Sequence, residues 1–424
     1  MKRGKIIMLI CMSMIFIGLA GLVAWAVLNH HTMVSELKNR MTVAAEESEE
    51  EQVVNATQAD SQQETETDRL AETEAVDRGI QAQIENMSLE EKVAQLFMVR
   101  PEDLTGVSVA VQAGDTTREA LEQYPVSGMV YFSQNIESED QLRTMIENTK
   151  SYSKYPLWIG VDEEGGSLVA RVAGSGIMDV PTYPDMIEIG NSGDLQAAYE
   201  VGSGIGSYLS DLGFNLDFAP VADVLTNPDN PAIGVRSFGP DAQLDAQMVA
   251  QVVQGLQETG VSACVKHFPG HGDTDSDSHE GQTVSNRTLE ELRAEEFLPF
   301  QAGIDAGVDF VMVGHISLPE VTGDMTPSSL SEQVVTGLLR EELGYDGIVV
   351  TDSMQMQAIT QFYSPSEAAV QAIQAGVDLI LLPQDFQSAY EGVLAAVNDG
   401  TLSEERIDAS LERIWKVKGD LWSE

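Results

Sequence analysis

Short apolar runs alternate with longer stretches of helical spacing through most of the chain. The runs are Gln95–Val99, Gly128–Phe132, Leu157–Val161, Phe214–Phe218, Ala263–His267, Asp309–Val313, Gly347–Thr351 and Asp378–Leu382. They are mostly continuous rather than alternating, as strands covered on both faces should be. Gly-Val-Asp precedes two of them, at Gly307 and Gly376, each time after an amphipathic stretch. Eight β/α units over about 350 residues predict an α/β chain folded as a (β/α)8 barrel of the TIM type. A doubly wound open sheet is the alternative, since eight strands do not by themselves prove closure. Ser88-Leu89-Glu90-Glu91 has the form of a capping box opening the first helix. A last helix over Ser403–Leu421 would set Ile407, Leu411, Ile414 and Trp415 on one face.

The N-terminal part is patterned differently. Residues Ile6–Leu28 contain no charged side chain and follow Lys2, Arg3 and Lys5. At about 1.5 Å per residue this run could cross a hydrocarbon core of roughly 30 Å. Residues 1–28 are therefore expected to be a cytoplasmic stub and single-pass membrane anchor, with the rest extracytoplasmic. The alternative is a cleaved signal and a secreted protein. Residues 29–77 carry a glutamate cluster at Glu46–Glu51 and few branched apolar side chains. Such a composition cannot offset chain entropy by burial, so a disordered acidic linker is expected there. The barrel is expected over 78–424.

Composition narrows the function. Lys and Arg number 23 against 68 Asp and Glu, a net charge of −45. Nucleic acid is excluded as a partner, because phosphate binding needs a basic footprint. Two cysteines, Cys11 and Cys264, do not make a disulfide scaffold or a multi-cysteine zinc site, and they are not expected to pair.

Several strand candidates end in polar groups, and barrel chemistry sits at those ends. They are Asp162-Glu163-Glu164, Asp223, Lys266-His267 and Thr351-Asp352. The polar segment from Lys266 to Asn286 is long for a β/α connection and is expected to be a functional lid. Its Asp273, Asp275 and Asp277 resemble the start of a calcium loop, but Ser278 and Val284 stand where Gly and Glu are required. A metal held by His267, His271 and His279 lacks the usual spacing. The remaining reading is an acid/base loop in which Asp277 orients His279 for proton transfer. His271 and His315 admit structural and direct roles alike. Met354 and Met356 could line a wall, and Trp158 is expected in the core.

These segments also carry a resemblance. Lys266-His267-Phe268-Pro269-Gly270-His271-Gly272 and Asp277-Ser278-His279 closely resemble the signature of β-N-acetylhexosaminidases of glycoside hydrolase family three. So do Gly160–Gly166, Ile233–Gly239 and Thr351-Asp352-Ser353-Met354, in similar order and spacing from about residue 80 onward. The sequence departs from the pattern where Glu280-Gly281-Gln282-Thr283 follows the triplet without a proline, and where Ser167 follows the paired glycines.

The resemblance implies a barrel of the single-domain form that releases terminal, non-reducing N-acetylglucosamine with retention. The substrate would be a cell-wall (muropeptide) or chitin-type oligosaccharide. By position, Asp352 would be the nucleophile, His279 the acid and base, and Asp277 its partner. Asp162, Arg236, Lys266 and His267 would bind the sugar hydroxyls, with Arg171 supporting them. A histidine in place of a second carboxyl would lower like-charge repulsion and so admit anionic groups. Other β-glycosidase activity, phosphorolysis and an inert wall-binding barrel are the alternatives. No metal, nucleotide or redox cofactor is implied.

Overall fold

The computed structural model describes residues 20–22, 24–26, 29–30, 32–43 and 76–419. Two units divide at Arg78 and Gly79. In the first, residues 32–43 are helical and exposed, inside the segment expected to be an unstructured linker. Residues 44–75, with the glutamate cluster, lie outside the described residues, as do Cys11 and most of the apolar run.

The expected single-pass anchor, and the membrane location drawn from it, need correction. No helix among the described residues is long and apolar enough to cross a membrane. The described helical residues pass from Ala20 to Glu36, Lys38 and Arg40. Of the apolar run only residues 20–22 and 24–26 are described, too few to make the roughly 20-residue helix a span requires.

In the second unit, each of the eight apolar runs overlaps a strand. They are β1 (Phe97–Val99), β2 (Gly128–Val130), β3 (Trp158–Val161), β4 (Leu216–Asp217), β5 (Ser262–Phe268), β6 (Phe310–Val313), β7 (Ile348–Thr351) and β8 (Ile380–Leu381). They form one parallel sheet in the order β7-β6-β5-β4-β3-β2-β1-β8. The first strand pairs the last, Phe97 facing Ile380. A parallel bridge between Val350 and Leu379 then joins β7 to β8. The Thr351 hydroxyl accepts the Leu381 N–H at 3.0 Å across the same seam. The sheet is thus a ring, not a doubly wound open sheet.

Side chains fill the ring. Trp158 is 1% exposed, and its ring meets Phe310 edge-on at 5.0 Å. Gly128 makes room for it, since a Cβ there would lie 2.8 Å from the Trp158 Cβ. Below the indole sits a buried lysine from the helix Glu404–Lys418. Lys418 Nζ donates to the carbonyl and hydroxyl of Ser127, both at 3.0 Å, and lies 6.0 Å from the Trp158 ring centre. Burial holds its ammonium well below the usual lysine range.

The two ends of the barrel chain are clasped. Helix α1 (Leu89–Ala94) begins with the expected capping box between Ser88 and Glu91. Its Lys92 donates to Glu404 and Asp408 at 2.7 Å each, on the last helix α2 (Glu404–Lys418). Gln81, in the helix over 76–85, also donates to Glu412. Ile407, Leu411, Ile414 and Trp415 are buried, as their spacing requires.

Candidate active site

A cleft of about 520 Å³ opens at the carboxyl ends of the strands. That volume suits a small ligand. Asp162, Arg236, Lys266, His267, His279 and Asp352 all line it. Asp277 does not; it stands behind His279.

Past β3 the chain enters a small antiparallel ribbon, Glu163–Gly165 against Val169–Ala170. Gly165 and Gly166 turn it with φ of +82° and +69°, where a Cβ would be strained. Extended backbone sends alternate side chains to opposite sides. Asp162 and Glu164 therefore face the cleft. Glu163 points away and accepts the N–H groups of Val172 and Ala173, at 2.6 and 3.0 Å, and the Tyr208 hydroxyl at 2.8 Å.

Lys266 Nζ sits between Asp162 at 2.8 Å and Glu164 at 2.6 Å. Arg236 grips Glu164 with two bonds, at 2.7 and 2.8 Å. Burial alone would raise the Glu164 carboxyl, but the charges of Arg236 and Lys266 outweigh it and hold the group far below the carboxylate range. Burial likewise opposes charge on Lys266, yet Asp162 and Glu164 carry it above its ordinary value. The cleft wall is therefore a fixed row of alternating charges.

Lys266 and His267 are consecutive yet both line the cleft. The register of β5 against β6 slips between Val265 and Phe268, and such a bulge re-aims side chains. Asp223 Oδ2 takes His267 Nδ1 at 2.7 Å, which puts the ring proton there and leaves Nε2 for a ligand.

Asp352 leaves the end of β7. Burial by itself would raise its carboxyl, but the imidazoles of His267 and His315 and the N–H of Ser353 carry it below the ordinary range. The Ser353 N–H donates to Asp352 Oδ1 at 2.6 Å. Asp352 is thus an ionised carboxylate throughout the neutral range.

His279 reaches the cleft from the lid, its side chain 69% exposed. Asp277 Oδ1 accepts its backbone N–H and its Nδ1, both at 2.8 Å. The lid's three aspartates diverge. Asp273 accepts from Ser285, Asp275 from Asn227, and Asp277 from His279. His271 and His315 are buried and do not line the cleft. His315 bonds Ser329 and the carbonyl of Ser353. Met356 lines the cleft and Met354 does not.

Sequence reasoning assigned no role to Glu164 or Asp223. The period-two alternation from Asp162 could have found the first. The second was visible as a polar group at a strand end, but nothing local reveals its partner, 44 residues away. Arg171, expected only to support the site, lines the cleft beside Arg100 and Gln134.

Residues 88–417 match the family model described as glycosyl hydrolase family 3 N terminal domain. Beta-hexosaminidase A of Pseudoalteromonas piscicida is 32% identical over 335 residues, which is 72% of this chain and 55% of that protein. Beta-hexosaminidase LpqI of Mycobacterium tuberculosis is 32% identical over 78% of this chain and 83% of its own. The solved structure of a family 3 beta-N-acetylglucosaminidase from a Paenibacillus species superposes with a TM-score of 0.73 at 40% identity, covering 78% of this chain and 62% of that one. The chain therefore spans little more than half the Pseudoalteromonas protein and under two thirds of the Paenibacillus one.

Proposed function

Since the chain belongs to glycosyl hydrolase family 3, we propose that its cleft removes terminal, non-reducing N-acetylglucosamine from cell-wall or chitin-type oligosaccharides, with retention at the anomeric carbon. One observation supports this most. An ionised Asp352 and an Asp277-backed His279 line one cleft, beside the fixed polar row of Asp162, Lys266, Arg236 and His267.

In this reading the polar row binds the hydroxyls of a single pyranose. An Asp352 oxygen attacks the anomeric carbon as the bond to the leaving oxygen breaks. His279 gives its proton to that oxygen. Water then enters; His279 takes a proton from it, the hydroxide attacks the anomeric carbon, and the bond to Asp352 breaks. Asp277 accepts the Nδ1 proton, so Nε2 performs both transfers. An imidazole nitrogen can both donate and accept a proton, as this group must.

The test is a screen of the barrel protein against aryl glycosides of several sugars. Preference for N-acetylglucosaminide over glucoside is expected. A fluorinated amino sugar should label Asp352. Asp352→Ala and His279→Ala should each lose activity, the first more completely. Preference for glucoside, or unimpaired Asp352→Ala, would overturn the reading. Phosphate buffer with product analysis separates hydrolysis from phosphorolysis.

A further inference from the structure

The lid is held at its neck, along its arms, where Asn227 donates to Asp275 and Gln282 to the Met325 carbonyl, and at its tip. At the neck, the Ser285 hydroxyl donates to Asp273 at 2.6 Å. Next to it Thr283 and Val284 pair with Ile316 and Ser317. At the tip, Ser278 is only 2% exposed although its neighbour His279 is open to solvent. Two contacts bury it. Its carbonyl accepts the Ala358 N–H at 3.2 Å, from the segment that follows Asp352. Its hydroxyl meets His271 Nε2 at 3.2 Å.

His271 is itself fixed on every side. Nδ1 meets the Thr274 hydroxyl at 2.7 Å, and the backbone N–H donates to Asp223 Oδ1 at 2.7 Å. Its carbonyl accepts from Asn230 at 2.8 Å. Asp223 also holds the His267 ring. One carboxylate therefore anchors a cleft-lining imidazole and the root of the arm that reaches the lid tip.

We propose that His271 is a positioning residue for proton transfer: through Ser278 it fixes the backbone from which Asp277 and His279 project, one on either side. The inference rests on His279 acting as the acid. Ser278 has little freedom once its hydroxyl and carbonyl are both engaged. The direction of the His279 ring then depends on Asp277 alone, across a two-residue span. Without the pin, the acid loses its aim while the nucleophile and the sugar-binding row stay in place.

This separates the step affected from the steps spared. Proton donation matters to departure of a poor leaving group and little to a good one. Initial rates would be measured on 4-methoxyphenyl and 2,4-dinitrophenyl N-acetylglucosaminides with the full chain. Ser278→Ala should lower kcat/KM about tenfold on the first, the range of one hydrogen bond, and less than twofold on the second. Gln at position 271 can place an amide nitrogen where Nε2 stands, and Asn where Nδ1 stands. His271→Gln should therefore approach wild type, while His271→Asn should behave like Ser278→Ala. Melting temperatures confirm that each variant folds. Equal losses on both substrates, or no loss in Ser278→Ala, would overturn the positioning role. His279→Ala is the reference: if it also shows no leaving-group dependence, the acid assignment falls first. If it does and Ser278→Ala does not, only the pin fails.

Discussion

Replacing Glu164 by Gln tests whether the charge row of the cleft is a single electrostatic unit. The side chain is 2% exposed and meets two cations, Lys266 at 2.6 Å and Arg236 through paired bonds at 2.7 and 2.8 Å. Gln keeps the shape, removes the charge and turns an amide N–H₂ toward donors. Lys266 retains Asp162, and Arg236 retains only the Ala232 carbonyl at 2.9 Å. Breaking a buried pair by removing one partner costs about 3–5 kcal/mol. Unfolding entropy is about 2.1 cal/mol/K per residue, or about 0.7 kcal/mol/K for a barrel of roughly 340 residues. Melting should therefore fall by about 4–7 °C at pH 7. The folded Glu164 carboxyl lies below its unfolded value. Its contribution is then complete above the ordinary carboxylate range and is lost as pH falls through the folded value. The gap between wild type and variant should hold from pH 7 to about 5 and narrow only below about 4. Thermal scans by circular dichroism across that range measure it. A drop under about 1 °C, or a gap that closes near neutrality, would refute the reasoning.

Two further outcomes follow from groups beside and beneath the cleft. Asp223→Asn presents an N–H₂ to His267 Nδ1 where a carboxylate now accepts, so KM for an aryl N-acetylglucosaminide should rise about tenfold with the fold retained; an unchanged KM would dismiss the contact. Lys418 is held below its unfolded value by burial, so the unfolded chain binds the extra proton and stability should rise with pH from neutrality toward 10. Lys418→Met should lack that rise, and melting scans of both proteins across the range would show parallel curves if the ammonium were not desolvated.

Much of the barrel was legible because its strands are buried on both faces. Eight apolar runs mark eight strands, but not their ends. β1 begins at Phe97 rather than Gln95 because Gln95 caps helix α1 and donates its side-chain amide to the carbonyls of Pro125 and Val126. No pattern near residue 95 reveals those acceptors. Within the site, residues at strand ends were visible, as was Asp277 two residues before His279, while the long-range bond from Asp223 to His267 was not. His267 lies between Lys266 and Phe268, His271 between two glycines and His279 between Ser278 and Glu280. The fold gives them separate surroundings: His267 meets Asp223, His271 the lid's interior, and His279 the open cleft. The N-terminal run suggested a span by its apolar length, but no helix among the described residues is long and apolar enough to cross a membrane.

The clasp between Lys92 and the last helix brings the barrel's two chain ends onto one another. The order in which the strands are synthesised is therefore separable from the order in which they stand. A gene that joins the ends through a short flexible linker and reopens the chain at the exposed Gly260 turn, on the side away from the cleft, would begin with β5 and finish one helix before it. Such a circular permutant should still bring Asp352 and His279 to the same opening.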